Sequence, residues 1–369
     1  MRKSPSSPDT SDVLVDAERR RGRGALSNRS SRYDKTAHYA IDDGWGTLDT
    51  LEPLKTEVVV EPARSIITRN SSPDISFEQS INPYRGCEHG CIYCYARPTH
   101  AYLGLSPGLD FETRLYAKTN AAALLERELS AGHYVPKVIA LGAVTDPYQP
   151  IEKRFEVTHD ILEVLERCSH PVGIVTKSAL VLRDLDLLTR MAERQLVKVA
   201  VSITTLDRHL ARRMEPRAAT PERRLDTIRA LSSSGIHTTV MVAPIIPALN
   251  DAELESILDA AADAGARAAG FVVLRLPLEL KTLFREWLEA EFPDRAQRVI
   301  SLLKSMHGGR DYGSEFGLRQ RGSGPYANQI AQRFRLASAR CGLSGRERYA
   351  LRTDLFTPPR ANSAQGSLF

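Results

Sequence analysis

Three cysteines lie within eight residues, and their spacing, Cys-x3-Cys-x2-Cys, sets Cys87, Cys91 and Cys94 on one short loop. Three thiolates on one loop can cap one face of a cubane iron–sulfur cluster and leave the fourth iron without a protein ligand. Such an iron is a coordination site for a substrate or a cofactor. The spacing therefore predicts a 4Fe-4S cluster with three protein ligands.

Structural zinc and ferredoxin-type electron transfer are the main alternatives for this cluster of thiols. Zinc closes its shell with four ligands in paired short spacings, whereas Cys168 and Cys341 stand singly and His89 lies inside the loop itself. Ferredoxin-type clusters use four cysteines, and the chain offers no clear fourth. Five cysteines also fit a disulfide framework poorly, which favours a reducing compartment.

The composition predicts a cytoplasmic protein with one catalytic domain and no membrane-spanning segment. Its 369 residues, of which 42% are hydrophobic and 26% charged, suffice for one core of roughly 200 to 250 residues with extensions. We find no run of about 18 apolar residues, and the first residues lack the apolar stretch of a secretory signal.

Positive charge is concentrated towards both ends of the chain, although the net charge is only +5. Six arginines and no acid occur from Arg19 to Arg32, and eleven Lys or Arg against four Asp or Glu occur from Lys304 to Arg360. Both stretches are candidate contacts for a polyanion such as DNA or RNA. The alternative is that these charges only solvate the ends.

The elements that must position the cysteines are short apolar runs that alternate with segments of helical spacing, which predicts an α/β fold with a parallel sheet. The predicted strands are Phe77–Ile81, Arg114–Lys118, Val138–Thr145, Val172–Thr176, Val197–Thr204, Thr238–Pro244 and Gly270–Leu276. The predicted helices are Ala121–Ser130, Phe155–Arg167, Leu182–Arg194, Pro221–Ser234, Ala252–Ala264 and Tyr326–Cys341. Functional residues are expected just after the strands, at their carboxyl ends.

We divide the chain into four parts from its composition. Residues 1–60 are predicted to be a flexible, disordered basic N-terminal arm because they show little apolar periodicity. Residues 61–293 form the predicted catalytic core, and 294–360 a basic C-terminal extension. Residues 361–369 are a tail.

The motif Cys87-x3-Cys91-x-Tyr93-Cys94 resembles that of the radical S-adenosylmethionine (SAM) superfamily. The run Asn82–Ala96, together with Thr145–Glu152 and Thr176–Ser178, is similar to the branch related to spore photoproduct lyase, often called DNA repair photolyase-like. The resemblance covers roughly residues 62–293. It implies a partial (β/α)6 barrel and an enzyme of lyase or transferase type.

The resemblance implies that Cys87, Cys91 and Cys94 ligate the cluster and that the amine and carboxylate of SAM chelate the open iron. An electron from the reduced cluster then cleaves SAM to a 5′-deoxyadenosyl radical. The protein's own part is then to bind and orient SAM and the substrate and to protect the radical. A reductant such as flavodoxin or ferredoxin is an implied partner.

Six side chains are implied to contact SAM: Tyr93, Thr145, Asp146, Lys177, Ser178 and Ser202. Tyr93 is expected beside the adenine. Thr145 and Asp146, where the predicted strand Val138–Thr145 ends, are expected at the amine of SAM, because a carboxylate suits an ammonium group. Lys177 and Ser178, after the next strand, are expected at the carboxylate and the ribose of SAM. Ser202 is a further candidate for the same two groups.

Three of these residues also have a structural alternative. Tyr93 could simply pack the loop, Asp146 could cap a turn before Pro147, and Ser202 could be an ordinary strand serine. Glu215 and its neighbouring arginines, in a later loop, could approach SAM or a phosphate, or belong to a solvated loop.

One departure from spore photoproduct lyase concerns its hydrogen donor. That enzyme uses a cysteine shortly before its counterpart of Thr145-Asp146, whereas residues 141–144 here read Leu-Gly-Ala-Val. Repair of the spore thymine dimer by that route is therefore not expected.

The favoured function is a radical SAM enzyme that acts on nucleic acid, in repair or modification. The alternatives are a radical SAM enzyme acting on a protein or small molecule, and a non-catalytic Fe-S nucleic-acid-binding module. The final residues, Gln365–Phe369, resemble the pentapeptide with which bacterial repair proteins dock on the sliding clamp. The alternative for this tail is a disordered end.

Overall fold

A computed structural model describes residues 14–34, 52–344 and 349–359. The strands are β1 Glu57–Val60, β2 Thr68–Arg69, β3 Gln79–Ile81, β4 Tyr84–Arg85, β5 Arg114–Ala117, β6 Ile139–Leu141, β7 Val172–Thr176, β8 Val197–Ser202, β9 His237–Ile245 and β10 Ala268–Val273. The helices are α1 Asp110–Thr113, α2 Ala121–Leu129, α3 Glu152–Phe155, α4 Val157–Arg167, α5 Leu185–Glu193, α6 Arg208–Met214, α7 Pro221–Ser233, α8 Leu254–Asp263, α9 Leu280–Glu291, α10 Pro293–Met306 and α11 Gly324–Arg340. Short 3₁₀ helices cover Arg97–Leu103, Ala179–Asp184 and Asp251–Glu253.

The main sheet has the order β10-β9-β8-β7-β6-β3-β2. Its strands pair in parallel from β3 to β10, and β2 is antiparallel at the edge. Strands such as β8, with the sequence VKVAVS, are rich in β-branched residues because helices cover parallel sheets. The predicted partial (β/α)6 barrel is confirmed.

The helices between the strands bury one apolar stripe each. In α4, Val157, Ile161 and Leu165 recur at helical spacing and are buried against the sheet. This alternation brings the carboxyl ends of the parallel strands to one edge, the mouth of the barrel. Within the described ranges, no helix is long and apolar enough to cross a bilayer.

Two strand predictions differ from the structure. The run predicted at Arg114–Lys118 is not part of the main sheet, because β5 pairs with β1 and β4 in a separate three-stranded sheet. The strand predicted at Val138–Thr145 ends at Leu141 because Gly142, with φ of +89°, turns the chain.

The prediction of a flexible N-terminal arm does not hold for residues 22–27. Ala25, Leu26 and Ser27 are almost completely buried. These side chains pack against the loop that carries the cysteines, together with Leu109 and Trp287. The apolar pair Ala25-Leu26 was too short to give a periodic signal in the sequence. The other predicted boundary, after residue 293, falls at the first residue of α10.

The described C-terminal segment, residues 349–359, crosses the end of the barrel opposite the mouth. The Thr357 amide donates to the Cys168 carbonyl at 2.9 Å, and the Arg352 amide donates to the Gln195 carbonyl at 3.0 Å. Both acceptors directly precede strands of the sheet. The segment therefore leaves the carboxyl ends of the strands uncovered.

His170 lies beneath this segment and gives the fold a pH dependence. Its ring is fully buried, and burial lowers the pKa of His170 from 6.5 to about 4. Because the unfolded chain binds the proton at higher pH than the folded chain does, stability falls as the pH drops from 6.5 towards 4. We expect about 2 kcal/mol to be lost between pH 7 and pH 5.

Urea denaturation at the two pH values measures this loss, and His170→Gln should reduce it because that side chain does not titrate. A His170→Gln protein with the same loss of stability as the parent would show that another group controls it.

Candidate active site

The cysteine loop, residues 86–95, follows β3 and β4 at the mouth of the barrel. Cys87 and Cys91 are buried and Cys94 is partly buried, and all three are free thiols. Burial raises the pKa of each thiol, that of Cys91 to about 12. A metal that binds here would therefore displace protons that the thiols otherwise keep.

Arg97 stabilises the backbone of the cysteine loop. Its guanidinium, fully buried, donates to the carbonyls of Cys91 at 2.9 Å and Gly90 at 3.1 Å. It also forms an ion pair with the buried Glu112 at 2.5 Å. The Cys87 amide donates to the Phe111 carbonyl at 2.9 Å. Protein contacts therefore shape the loop.

The three thiols lie near enough to one another to interact electrostatically. Within residues 14–34, 52–344 and 349–359, no group of three Cys, His, Asp or Glu side chains is close enough to hold one metal ion. In a cubane each thiolate would bind a different iron. Ligation of a cluster by these three cysteines stays a prediction.

Asp146 joins the cysteine loop to two strand ends. One of its carboxylate oxygens accepts from the Thr176 hydroxyl at 2.7 Å and the Tyr148 amide at 2.9 Å, and the other accepts from the Lys177 amide at 2.7 Å. His89 Nδ1 lies 3.4 Å from that second oxygen. Burial opposes ionisation, but these partners outweigh it and lower the pKa of Asp146 to about 2.

Protein donors therefore already occupy both carboxylate oxygens of Asp146. This geometry favours the structural alternative for this residue, in which it caps the turn and orders the loop. Direct contact with the SAM amine stays a prediction.

The hydroxyls of two of the three hydroxyl candidates are engaged by the protein, and the third candidate is buried. Thr145 is buried and donates to the Tyr84 carbonyl at 3.1 Å. The Ser178 hydroxyl caps a 3₁₀ helix by accepting from the Leu180 amide at 3.2 Å. Ser202 is buried. The structure thus places them at strand ends near the mouth, and their contacts with SAM remain predictions.

Lys177 differs from the other candidates because its charge is not neutralised. Its ammonium lies 5.8 Å from the centre of the Tyr93 ring. In the part of the chain that the structure describes, no carboxylate forms an ion pair with it. Lys177 also helps to lower the pKa of the nearby Glu215. The structure therefore brings Lys177 and Tyr93 together beside the cysteine loop.

The sequence left open whether Glu215 approaches SAM or a phosphate or lies in a solvated loop. Glu215 is buried, and its carboxylate accepts from the Tyr93 hydroxyl, from the Thr204 hydroxyl at 2.6 Å and from Arg224. Burial opposes ionisation, but Arg224 and Lys177 lower its pKa to about 2. The solvated-loop alternative for Glu215 is therefore wrong. No local signal marks it, since Tyr93 lies 122 residues away.

A rim of aromatic and cationic side chains continues from the cysteine loop across the mouth. Tyr95 is 44% exposed, and its hydroxyl donates to the Ala143 carbonyl. The Arg275 guanidinium lies 4.9 Å from the centre of the Tyr95 ring and 3.4 Å from the Tyr312 hydroxyl. Among the described residues, no carboxylate pairs with Arg275. We call Tyr95, Arg275 and Tyr312 the rim.

Comparison with known proteins identifies the family of this chain. A model of the radical SAM superfamily matches residues 81–261. An uncharacterized protein of Mycobacterium tuberculosis, Rv2578c, is 39% identical over 232 residues, which cover 62% of this chain and 68% of that protein.

The chain belongs to the radical SAM superfamily. Its relatives also include an uncharacterized protein of Methanocaldococcus jannaschii, 30% identical over 199 residues, or 54% of this chain and 71% of that protein. A radical SAM Nalpha-GlyT isomerase of Pseudomonas phage M6 is 26% identical over 185 residues, or 49% of this chain and 36% of that enzyme. The predicted class of enzyme is confirmed, and the predicted cofactors, a 4Fe-4S cluster and SAM, are those of this superfamily.

Solved structures of spore photoproduct lyase share the fold of this radical SAM protein. One, complexed with dinucleoside spore photoproduct, superposes with a TM-score of 0.54 at 19% identity over 77% of this chain and 79% of that enzyme. Another has AdoMet and the same dinucleoside bound, with the same TM-score, identity and coverage. At this identity the likeness establishes the architecture.

Proposed function

We propose that Cys87, Cys91 and Cys94 hold a 4Fe-4S cluster and that the chain cleaves SAM reductively to act on nucleic acid. The observation that carries the proposal is the buried, preshaped loop with three free thiols at the mouth of a radical SAM barrel. When bound, the cluster and SAM supply the electron transfer that yields a 5′-deoxyadenosyl radical. A reducing, cytoplasmic compartment is the proposed location, because five cysteines, three of them within eight residues, fit a disulfide framework poorly.

The protein's part is to bind and orient. Lys177 is a cation without a carboxylate partner among the described residues, which suits the carboxylate of SAM. The Tyr93 ring, fixed through its hydroxyl by Glu215, offers a flat face for the adenine. Thr145 and Ser202 line the neighbouring strand ends. A flavodoxin or ferredoxin is the proposed electron donor.

The rim supports nucleic acid as the substrate. Tyr95 and Tyr312 can stack on bases, and Arg275 can pair with a phosphate. The spore photoproduct lyase structure with a dinucleoside bound shows that a barrel of this fold can hold such a ligand. Because residues 141–144 lack a thiol, we propose repair or modification other than repair of the spore thymine dimer.

The test is anaerobic reconstitution with iron and sulfide, followed by dithionite and SAM, with 5′-deoxyadenosine measured by mass spectrometry. We expect the nucleoside to form, and to form faster with single-stranded DNA, duplex DNA or RNA present. A stable cluster without SAM cleavage would support the non-catalytic module instead. Stimulation by a protein or small molecule alone would support the other enzyme class.

Arg275 provides a second prediction, about nucleic-acid binding. Each cation that neutralises a phosphate contributes about one unit to the slope of log affinity against log salt. We expect Arg275→Gln to lower that slope by about 1 in fluorescence anisotropy with a labelled single strand. Arg229→Gln is the control, because Arg229 is exposed on α7 and already paired with Asp226 at 2.6 Å. Equal slopes for both variants would remove Arg275 from the interface.

We also propose the bacterial sliding clamp as a partner, through Gln365–Phe369. The tail lies outside the described residues. Loss of clamp binding on replacing Leu368 and Phe369 with alanine, measured by anisotropy with the full chain, is the expected result. Unchanged affinity would exclude the tail.

A further inference from the structure

Residues 22–27, the N-terminal strap, run over the outer side of the cysteine loop. The amides of Gly24 and Ala25 donate to the two carboxylate oxygens of Glu112, each at 2.8 Å. Glu112 is completely buried and is the ion-pair partner of Arg97, which holds the loop carbonyls. One carboxylate therefore connects the strap to the support of the cysteine loop.

The contact between strap and loop is a direct backbone contact. A Cβ atom at Gly24 would lie 1.9 Å from the Gly90 carbonyl oxygen, so no larger residue fits without displacing one of the two segments. On the other side, a Cβ atom at Gly108 would lie 2.2 Å from the Ser27 carbonyl oxygen. Glycine at these places allows the close approach.

Arg23 adds a second connection between the strap and the cysteine loop. Its guanidinium donates to the Glu112 carbonyl at 3.0 Å, the Leu54 carbonyl at 2.9 Å and the Thr56 hydroxyl at 3.0 Å. That hydroxyl donates in turn to Glu88, inside the cysteine loop, at 2.6 Å. Two independent chains of hydrogen bonds thus link the strap to the loop.

The apolar side chains of the strap complete the packing around one cysteine. Ala25 and Leu26 lie in the same buried cluster as Cys91, Ile92 and Tyr93. At the end of the strap, Ser27 donates to Glu286 of α9 at 2.6 Å, and Arg29, two residues later, pairs with the same carboxylate at 2.6 Å. The strap therefore fills the space between the loop and α9.

We propose that the strap is the outer wall of the cluster site and that Glu112 is a positioning residue for the cysteine loop. The strap fixes the loop around Cys91 and excludes water and dioxygen from that side. Glu112 acts through Arg97 and through the strap amides, not by touching the cluster. The inference rests on the proposed cluster ligands and goes beyond them, because it assigns a role to a segment outside residues 81–261.

The experiment compares Gly24→Ala and Glu112→Gln with the parent chain. Gly132→Ala is the matched control, because a Cβ atom there meets no other atom within 4 Å. Trypsin cleavage after Arg23 in the iron-free protein reports opening of the strap. Bleaching of the reconstituted cluster's visible absorption in air reports its protection.

Both strap variants are expected to be cleaved after Arg23 roughly tenfold faster or more, because hydrogen bonds to a buried charge are weakened and cleavage follows the open population. Their clusters should bleach several-fold faster than those of the parent and Gly132→Ala. If cleavage accelerates but bleaching does not, the strap does not shield the cluster. If neither changes, the strap does not position the loop.

The experiment distinguishes failure of the cluster proposal from failure of the inference about the strap. Gly24→Ala alters only the strap contact, so it decides the question if Glu112→Gln does not fold. A parent chain that forms no cluster would overturn the cluster proposal, and the inference with it. A parent chain with a cluster whose strap variants bleach at its own rate overturns only the inference.

Discussion

Replacing Cys87, Cys91 or Cys94 singly with alanine is expected to abolish 5′-deoxyadenosine formation and to lower bound iron after reconstitution. Each thiolate binds a different iron in a cubane, so losing one leaves an iron exposed. Replacing a residue that hydrogen-bonds to a metal ligand typically lowers metal affinity or activity about 10- to 100-fold. We therefore expect a loss of roughly 100-fold or more when a ligand itself is replaced. Iron content and the characteristic absorption of the cluster measure the binding step separately from turnover.

The chain contains its own controls for this series. Cys168 is buried in the core on the side opposite the mouth, and Cys341 lies at the end of α11, where its thiol donates to Asp259 at 2.9 Å. Replacing either with alanine should leave iron content and turnover near those of the parent. A Cys91→Ala protein with full iron and full turnover would exclude that cysteine as a ligand.

Replacing Glu215 with leucine is expected to lower the free energy of unfolding by about 3–5 kcal/mol, because it leaves the buried Arg224 guanidinium without a counter-charge. The double replacement Glu215→Leu with Arg224→Leu should recover a large part of this loss, since neither charge then remains buried. Urea denaturation of the iron-free chain measures both. This readout separates the structural effect from any loss of SAM binding.

The exposed pair Arg229–Asp226 on α7 is the control for this prediction. Asp226→Ala should change the free energy of unfolding by no more than about 1 kcal/mol, as is usual for surface ion pairs. If Glu215→Leu were no more destabilising than Asp226→Ala, or the double variant were less stable than the single one, the buried pair would not have the role described.

Most strands and helices could be predicted from the sequence because each depends on neighbours in the chain. Val172–Thr176 is the clearest case, since its apolar run matches β7 at both ends. Arg114–Ala117 is a strand too, but its partners β1 and β4 are set by tertiary contacts. A local pattern identifies a strand without identifying the sheet to which it belongs.

The same limit applies to the site. The three cysteines were recognisable because their spacing within one loop is itself the signal, although their role as ligands remains a prediction. Glu112 and Glu215 carried no such signal, since their partners Gly24 and Tyr93 are 88 and 122 residues away. Asp146 was predicted at a strand end but lies five residues beyond the end of β6, and its hydrogen bonds to Thr176 and Lys177 could not be seen in the sequence.

The strap also constrains the order in which the chain can complete its fold. On the ribosome its residues emerge before the cysteine loop, yet they cannot dock until Glu112, 88 residues after Gly24, has been synthesised. Contacts this distant in sequence form slowly, because a long loop must close first. We therefore expect the strap to dock late, so that the cysteine loop stays accessible from that side until the last folding step.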